Sequence, residues 1–430
     1  MKNGPDTIYG ELFNDVQLQA IFPDSKTFTD CTPKSDAKNI LVSYDAAKKN
    51  PDFDLLAFVM EHFEMPATPT GNFTADNTRP VEEHIELLWD VLKREKDKDI
   101  PGSSLLPLPY PYIVPGGRFN EIYYWDSFFT MQGLKVSGRV DMIESMVKNF
   151  AWLIDTVGFI PNGNRTYFLG RSQPPFFAQM VDLLAELKGK DIYKEYLPAL
   201  EKEYAFWMDR KKEGPAAQRR TFLTDSGALV NRYWDDQPVP RQESYKEDVE
   251  DAQKYKGDKE DFYRNIRAAC ESGWDFSARW LSDPMKLHTI QTTKLIPVDL
   301  NCLLYGLEVT LQHAYNHLGM KEKGTGMYNK SKERAAAIFA YCWNEKEGFY
   351  FDYHIEKKET TPIKSLAGIF PLYFKLATAK QAERCATYLK EHFLKAGGLV
   401  TTPIHSGQQW DAPNGWAPLQ YMAYKGLKNY

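Results

Sequence analysis

The sequence predicts an all-α fold, and three observations carry that prediction. Apolar residues recur at spacings of three and four over much of the chain, the helical period. The segments between these runs are rich in Gly, Pro, Asn and aromatic residues, and they hold nearly every chemically interesting side chain. No identical repeat recurs at a fixed period, which disfavours a regular solenoid. The simplest architecture is an array of helical hairpins with the functional loops gathered at one end.

Residues 136 to 157 carry the clearest pattern: Met142, Ile143, Met146, Val147, Phe150, Leu153, Ile154 and Val157 line one helical face, and Gly158 supplies a stop. Similar runs cover 81 to 95 (Val81, Ile85, Leu88, Leu92), 175 to 188, 191 to 210, 299 to 318, 329 to 343, 364 to 377 and 380 to 396. The loops expected between them are 100 to 120, 158 to 175, 231 to 245, 271 to 276 and 399 to 418. Residues 1 to 70, with mixed patterning and several Pro, read as an N-terminal extension packed on the helices. Residues 71 to 430 form the main domain, with no Gly/Ser linker to divide it.

Composition excludes several classes of function. The chain has 430 residues, 43% hydrophobic and 26% charged, an ordinary globular mix; the departure is 14% aromatic, with 10 Trp and 25 Tyr. Most of these rings belong to a core, and those beside polar clusters are candidate platforms for a flat apolar ligand face. A net charge of -5 gives no electrostatic footprint for nucleic acid or an anionic membrane. No run of about 18 apolar residues is present to span a bilayer. Cys31, Cys270, Cys302, Cys342 and Cys385 are scattered without a CxxC pair and read as buried structural thiols. His313 and His317 stand at i,i+4 but lack the intervening Glu of a zinc hydrolase motif. P-loop, dinucleotide and serine-nucleophile signatures are missing, so neither a metal nor an organic cofactor is expected.

Two packets stand out. One is Pro115-Gly116-Gly117-Arg118-Phe119-Asn120-Glu121-Ile122-Tyr123-Tyr124-Trp125-Asp126; the other is Gln409-Trp410-Asp411-Ala412-Pro413-Asn414-Gly415-Trp416-Ala417-Pro418. Both set carboxylates and indoles beside Gly and Pro, which suits the C–H faces and hydroxyls of a sugar. Asp275, in Ser272-Gly273-Trp274-Asp275-Phe276-Ser277, lies between two aromatic rings that would raise its pKa, as a general acid requires. A helix N-cap serving Ala278 to Trp280 explains it equally well. Asn162 to Thr166 and Arg171-Ser172-Gln173-Pro174-Pro175 crowd amides, a hydroxyl and guanidinium groups, though Asn-Gly and Pro-Pro are also ordinary turn chemistry. Arg241 and Glu243, flanking Gln242, would face the same way in an extended segment and form a surface ion pair or grip hydroxyls. This inventory fits a carboxylate-driven glycoside hydrolase and, equally, a sugar-binding protein.

The two packets resemble the paired motifs of the trehalases of glycoside hydrolase family 37. Pro115 to Phe128 departs only at Phe128, where the family has Tyr, and Gln409 to Pro418 matches throughout. Asn162 to Arg165, Arg171 to Pro175, Asn231 to Asp236 and Ser272 to Asp275 follow in family order, and the likeness runs from about Leu12 to the C-terminus. The resemblance implies an (α/α)6 barrel that hydrolyses the α,α-1,1 linkage of trehalose with inversion. It makes Asp275 the catalytic acid. It places Arg118, Trp125, Asp126, Asn162, Arg171, Ser172, Gln173, Arg241, Gln242, Glu243 and Gly273 in the sugar pocket, with Phe119, Tyr123 and Trp410 helping to enclose it. A monomer of periplasmic type is implied, with a cytoplasmic enzyme as the alternative. Family members continue past the second motif to a segment holding the general base, and no residue here matches that base. The reading is of a C-terminally incomplete barrel, because Gln420 to Leu427 is helical with no terminal cap. The alternatives are a disaccharide-binding protein without turnover, or a hydrolase of another α-glucoside.

Overall fold

A computed structural model of the chain describes residues 3–66, 73–76, 78–211 and 213–430. Helix outweighs strand, 53% to 9%, and the fold class is all-α. Sixteen α-helices lie in the described residues: α1 Pro5–Leu18, α2 Ser25–Thr29, α3 Ala37–Ala47, α4 Leu55–His62, α5 Val81–Leu92, α6 Tyr124–Val136, α7 Val140–Val157, α8 Phe177–Lys188, α9 Ile192–Trp207, α10 Tyr245–Ala252, α11 Lys259–Glu271, α12 Val298–His317, α13 Lys321–Cys342, α14 Phe370–Tyr373, α15 Ala379–His392 and α16 Ala417–Lys428. Among the described residues, strands are two or three residues long and pair antiparallel, as in Ala217–Gln218, Thr221–Leu223 and Leu229–Asn231. None of these helices is long and apolar enough to cross a membrane.

The chain forms two compact units. One comprises residues 1–153, 161–172 and 239–256; the other comprises 154–160, 173–238 and 257–430. The domain boundary expected near residue 70 lies outside the described residues.

In the first unit, residues expected only as a mixed extension form four helices. Asp24, Asp36 and Asp54 cap α2, α3 and α4 by accepting from the first-turn N–H groups of Thr27, Lys38 and Ala57. Tyr9, Leu12, Phe13, Val16, Phe28, Ile40, Tyr44, Val59 and Phe63 make their shared apolar core, with Tyr245 against it. The sequence hides these helices because their apolar runs are short and broken by Pro and Asp.

In the second unit α12 is the central helix, packed by α8, α9, α13 and α14. It is buried along most of its length, so its polar residues need partners inside the protein. Asp299 accepts from Arg279, Glu308 from Arg334 at 2.9 Å, and Asn301 exchanges hydrogen bonds of 2.9 Å with the backbone of Asn231. The run expected over 329 to 343 belongs to the longer α13. Gly324, Gly326 and the polar residues around them blank the apolar pattern in its first turns. The helix expected over 364 to 377 shrinks to a 3-10 turn, Leu366–Ile369, and one turn of α14, since Pro371 cannot continue a preceding helix. All five cysteines are buried and none forms a disulfide.

Candidate active site

In the first unit, the first motif forms a tight turn before α6. Gly116 and Gly117 have φ of 94° and 63°, a left-handed pair that only glycine adopts without strain, and the Phe119 N–H donates to the Gly116 carbonyl at 3.1 Å. The turn leaves Arg118 exposed, its guanidinium 5.3 Å from the Phe119 ring centroid and 3.8 Å from Asp24. Phe119 meets Tyr123 edge-on at 5.4 Å, and Tyr123 meets Phe168 at 5.9 Å. Trp125 is buried and Asp126 half-buried in the first turn of α6. Phe128 is buried against Phe129, centroids 5.2 Å apart. A cleft of about 320 Å³ opens beside Arg118, lined also by Asp24, Lys26, Asp30 and Asn120.

Beneath this turn lies a charge cluster that the sequence did not announce. Lys26 pairs with Asp30 and, at 2.8 Å, with Glu121; Arg165 reaches Glu121 at 3.2 Å and Asp30 at 3.5 Å. Tyr123 donates to Glu121 at 2.5 Å and Tyr167 to Asp30 at 2.7 Å. Burial pushes the Glu121 carboxyl up, but the Lys26 and Arg165 cations outweigh it and hold it below the usual carboxylate range. Burial, with the adjacent Glu121 carboxylate, raises the Tyr123 phenol well above its ordinary value, so it stays a hydrogen-bond donor. Glu121 lies inside the first motif, and that was the available signal; Lys26 and Asp30 lie outside both motifs.

The loop 161 to 172 is laced to the same motif. Asn164 accepts from Ile122 N–H at 2.8 Å, and the Tyr124 N–H donates to the Asn162 carbonyl at 3.1 Å. Asn162 and Ser172 are buried, joined by Asn162 Nδ2 to the Ser172 carbonyl at 3.4 Å. Arg171 is buried over the Phe168 ring and donates to Glu243 at 2.6 Å. Arg241, Gln242 and Glu243 are not an extended surface strip. Gln242–Ser244 is a 3-10 turn, and the turn aims the two charged side chains at different partners. Arg241 forks onto Asp248 with contacts of 2.6 and 3.0 Å, while Glu243 takes Arg171. Such buried forks hold their members in one geometry.

In the second unit, Gly273 has φ of 76°, which turns the chain after α11. Trp274 is fully buried and Asp275 exposed. The N-cap explanation for Asp275 fails: Ser277 caps the Ala278–Trp280 turn, its hydroxyl accepting from the Arg279 N–H at 3.1 Å. Arg279, sandwiched between Trp274 and Trp280 at 4.6 and 4.3 Å, forks onto both Asp299 and Asp352 with contacts of 2.7 to 2.9 Å. This anchors the segment after Asp275 to the central helix α12. Trp410 stacks on Trp274 at 5.4 Å, and Trp416 stacks on Trp410 at 4.5 Å. The Trp410 N–H donates to the Phe276 carbonyl at 2.9 Å. Asp411 accepts from Ser277 Oγ at 2.9 Å, Ala278 N–H at 2.8 Å, Thr402 Oγ1 at 2.6 Å and Ser406 Oγ. A carboxylate has about four acceptor sites, so Asp411 is saturated and poorly placed to activate water. Gln173 is buried in this unit.

The family model for trehalase matches residues 20–430. The chain belongs to the trehalase family. A periplasmic trehalase of Escherichia coli is 46% identical over 429 residues, which are 99% of this chain and 76% of that protein. A putative periplasmic trehalase of Salmonella typhi is 48% identical over 430 residues, 99% of this chain and 75% of that one. Among solved structures, the neutral trehalase of Saccharomyces cerevisiae superposes with a TM-score of 0.64 at 24% identity, over 99% of this chain and 83% of that one. A family 63 mannosylglycerate hydrolase of Thermus thermophilus superposes at 0.52 with 15% identity, over 82% and 87% of the two chains. Both likenesses are of fold, the (α/α)6 type that the sequence motifs implied.

Proposed function

We propose that this trehalase-family protein hydrolyses α,α-trehalose to two glucose molecules with inversion, with Asp275 as general acid. The observation that carries the reading is the setting of Asp275: a solvent-exposed carboxyl on a loop where Trp274 and Ser277 are buried and the Phe276 carbonyl is held by the Trp410 N–H. Rigid support with an open reacting group is what proton delivery to a glycosidic oxygen requires.

In the first unit, Arg118, Asn162, Arg171, Arg241 and Glu243, with Asp126, Ser172 and Gln242, offer donors and acceptors for sugar hydroxyls; in the second, Gln173 and the Gly273 backbone do so. Phe119, Tyr123 and Trp125 in the first unit, and Trp410 in the second, offer ring faces suited to sugar C–H groups. As the bond breaks, Asp275 donates its proton to the departing glucose oxygen. Water attacks the anomeric carbon from the opposite face, helped by a base roughly 6.5 to 9.5 Å from the acid. Electrostatic stabilisation of the cationic transition state falls to the pocket carboxylates. We assign the protein to the periplasm, in keeping with its relatives' names.

Asp275→Asn tests the reading. Glucose release from trehalose is expected to vanish while calorimetry still records trehalose binding. A variant that hydrolyses at the parent rate sinks the assignment.

A further inference from the structure

We propose that Asp411 is a positioning residue for Asp275, and that the second motif acts as a clamp on the acid's loop. The inference rests on the reading of Asp275 as the acid. Four contacts bracket that residue in sequence. The Trp410 ring stacks on Trp274, immediately before it, and the Trp410 N–H holds the Phe276 carbonyl, immediately after it. Asp411 then takes the Ser277 hydroxyl and the Ala278 N–H. Residues 274, 276, 277 and 278 are all tied to 410 and 411, about 135 positions away in sequence, and Asp275 between them is exposed.

The chemistry of Asp411 fits this role. Its buried carboxylate receives four donors, two from the acid's own segment and two from Thr402 and Ser406 on its own strand of chain. Hydrogen bonds to an ionised acceptor are shorter and stronger than neutral ones, so the joint is stiff. No neutral side chain of this size offers four acceptor sites. Asp411 is buried and acts through the loop. A general acid must hold its oxygen to within about 0.5 Å of the productive position, and a displacement of about 1 Å costs about 10²-fold in rate.

The test compares two substrates in the full chain. Trehalose expels a sugar oxygen that needs the acid's proton, whereas α-glucosyl fluoride expels fluoride, which departs with little proton assistance. Asp411→Ala is expected to lower kcat on trehalose by about 10²-fold with KM nearly unchanged, and to lower fluoride hydrolysis far less. Equal losses on both substrates, or no loss on trehalose, overturn the proposal. If circular dichroism shows Asp411→Ala unfolded, Ser277→Ala removes one donor to the same carboxylate and is judged by the same selectivity. Asp275→Asn runs in parallel. Retained trehalose hydrolysis there refutes the acid assignment itself, whereas its loss beside an unaffected Asp411→Ala refutes the clamp alone.

Discussion

Replacing Lys26 with Met keeps most of the side-chain stem and removes one charge from a buried cluster of two cations and two anions. Lys26, Asp30, Glu121 and Arg165 have side chains between 0 and 6% exposed, so water cannot compensate for the loss. Arg165 is left facing two carboxylates, and one negative charge stays buried without its counterion. Removing one member of such a cluster costs about 3–5 kcal/mol, most of it the penalty of the stranded charge. Equilibrium urea unfolding reads this directly. The double variant Lys26→Met/Asp30→Asn restores neutrality, so the second substitution should recover about 1–3 kcal/mol of the first loss. Because Glu121 also holds the Tyr123 hydroxyl, the single variant is expected to weaken trehalose binding as well. A loss below about 1 kcal/mol for Lys26→Met, or strictly additive behaviour of the pair, would refute the claim that the cluster is a coupled unit.

Two further outcomes follow from the second unit. Gly306→Ala places a Cβ 2.4 Å from Phe374 and 2.6 Å from Gln179, so overpacking of α12 should cost about 1–3 kcal/mol by denaturant unfolding; an unchanged midpoint argues against that packing. Burial, helped by Lys357, lowers the His354 pKa from 6.5. The unfolded chain therefore takes up a proton first as pH falls, and the contribution is full above about 6.5 and declines between there and the folded value. Thermal melts from pH 8 to pH 5 should show this decline flattened in His354→Gln, and parallel curves would contradict it.

Helices with unbroken apolar stripes were legible in the sequence. The pattern at 175 to 188 became α8, Phe177–Lys188, and that at 299 to 318 became α12, Val298–His317. Helix α6 was hidden because its first turn is built from motif residues, Tyr124 to Asp126, whose types suggest a ligand rather than a period. Spacing alone misread Arg241 and Glu243: a 3-10 turn rotates them apart, and Asp248, one helix further on, is the partner no period-two rule could supply. The residues proposed for the site were picked out by motif and chemistry, whereas their supports could not be. Glu121 and Asp411 sit inside motifs, yet their function as buried acceptors depends on donors from Lys26, Arg165, Thr402 and Ser406, and only folding brings those together.

The anomeric composition of the first glucose released from trehalose, followed by proton NMR faster than mutarotation, tests the central claim most directly. Inverting hydrolysis of an α,α-linkage yields one β-glucose from the attacked ring and one α-glucose from the departing one. Equal initial amounts of the two anomers, abolished in Asp275→Asn, are predicted. Release of α-glucose alone would contradict the account.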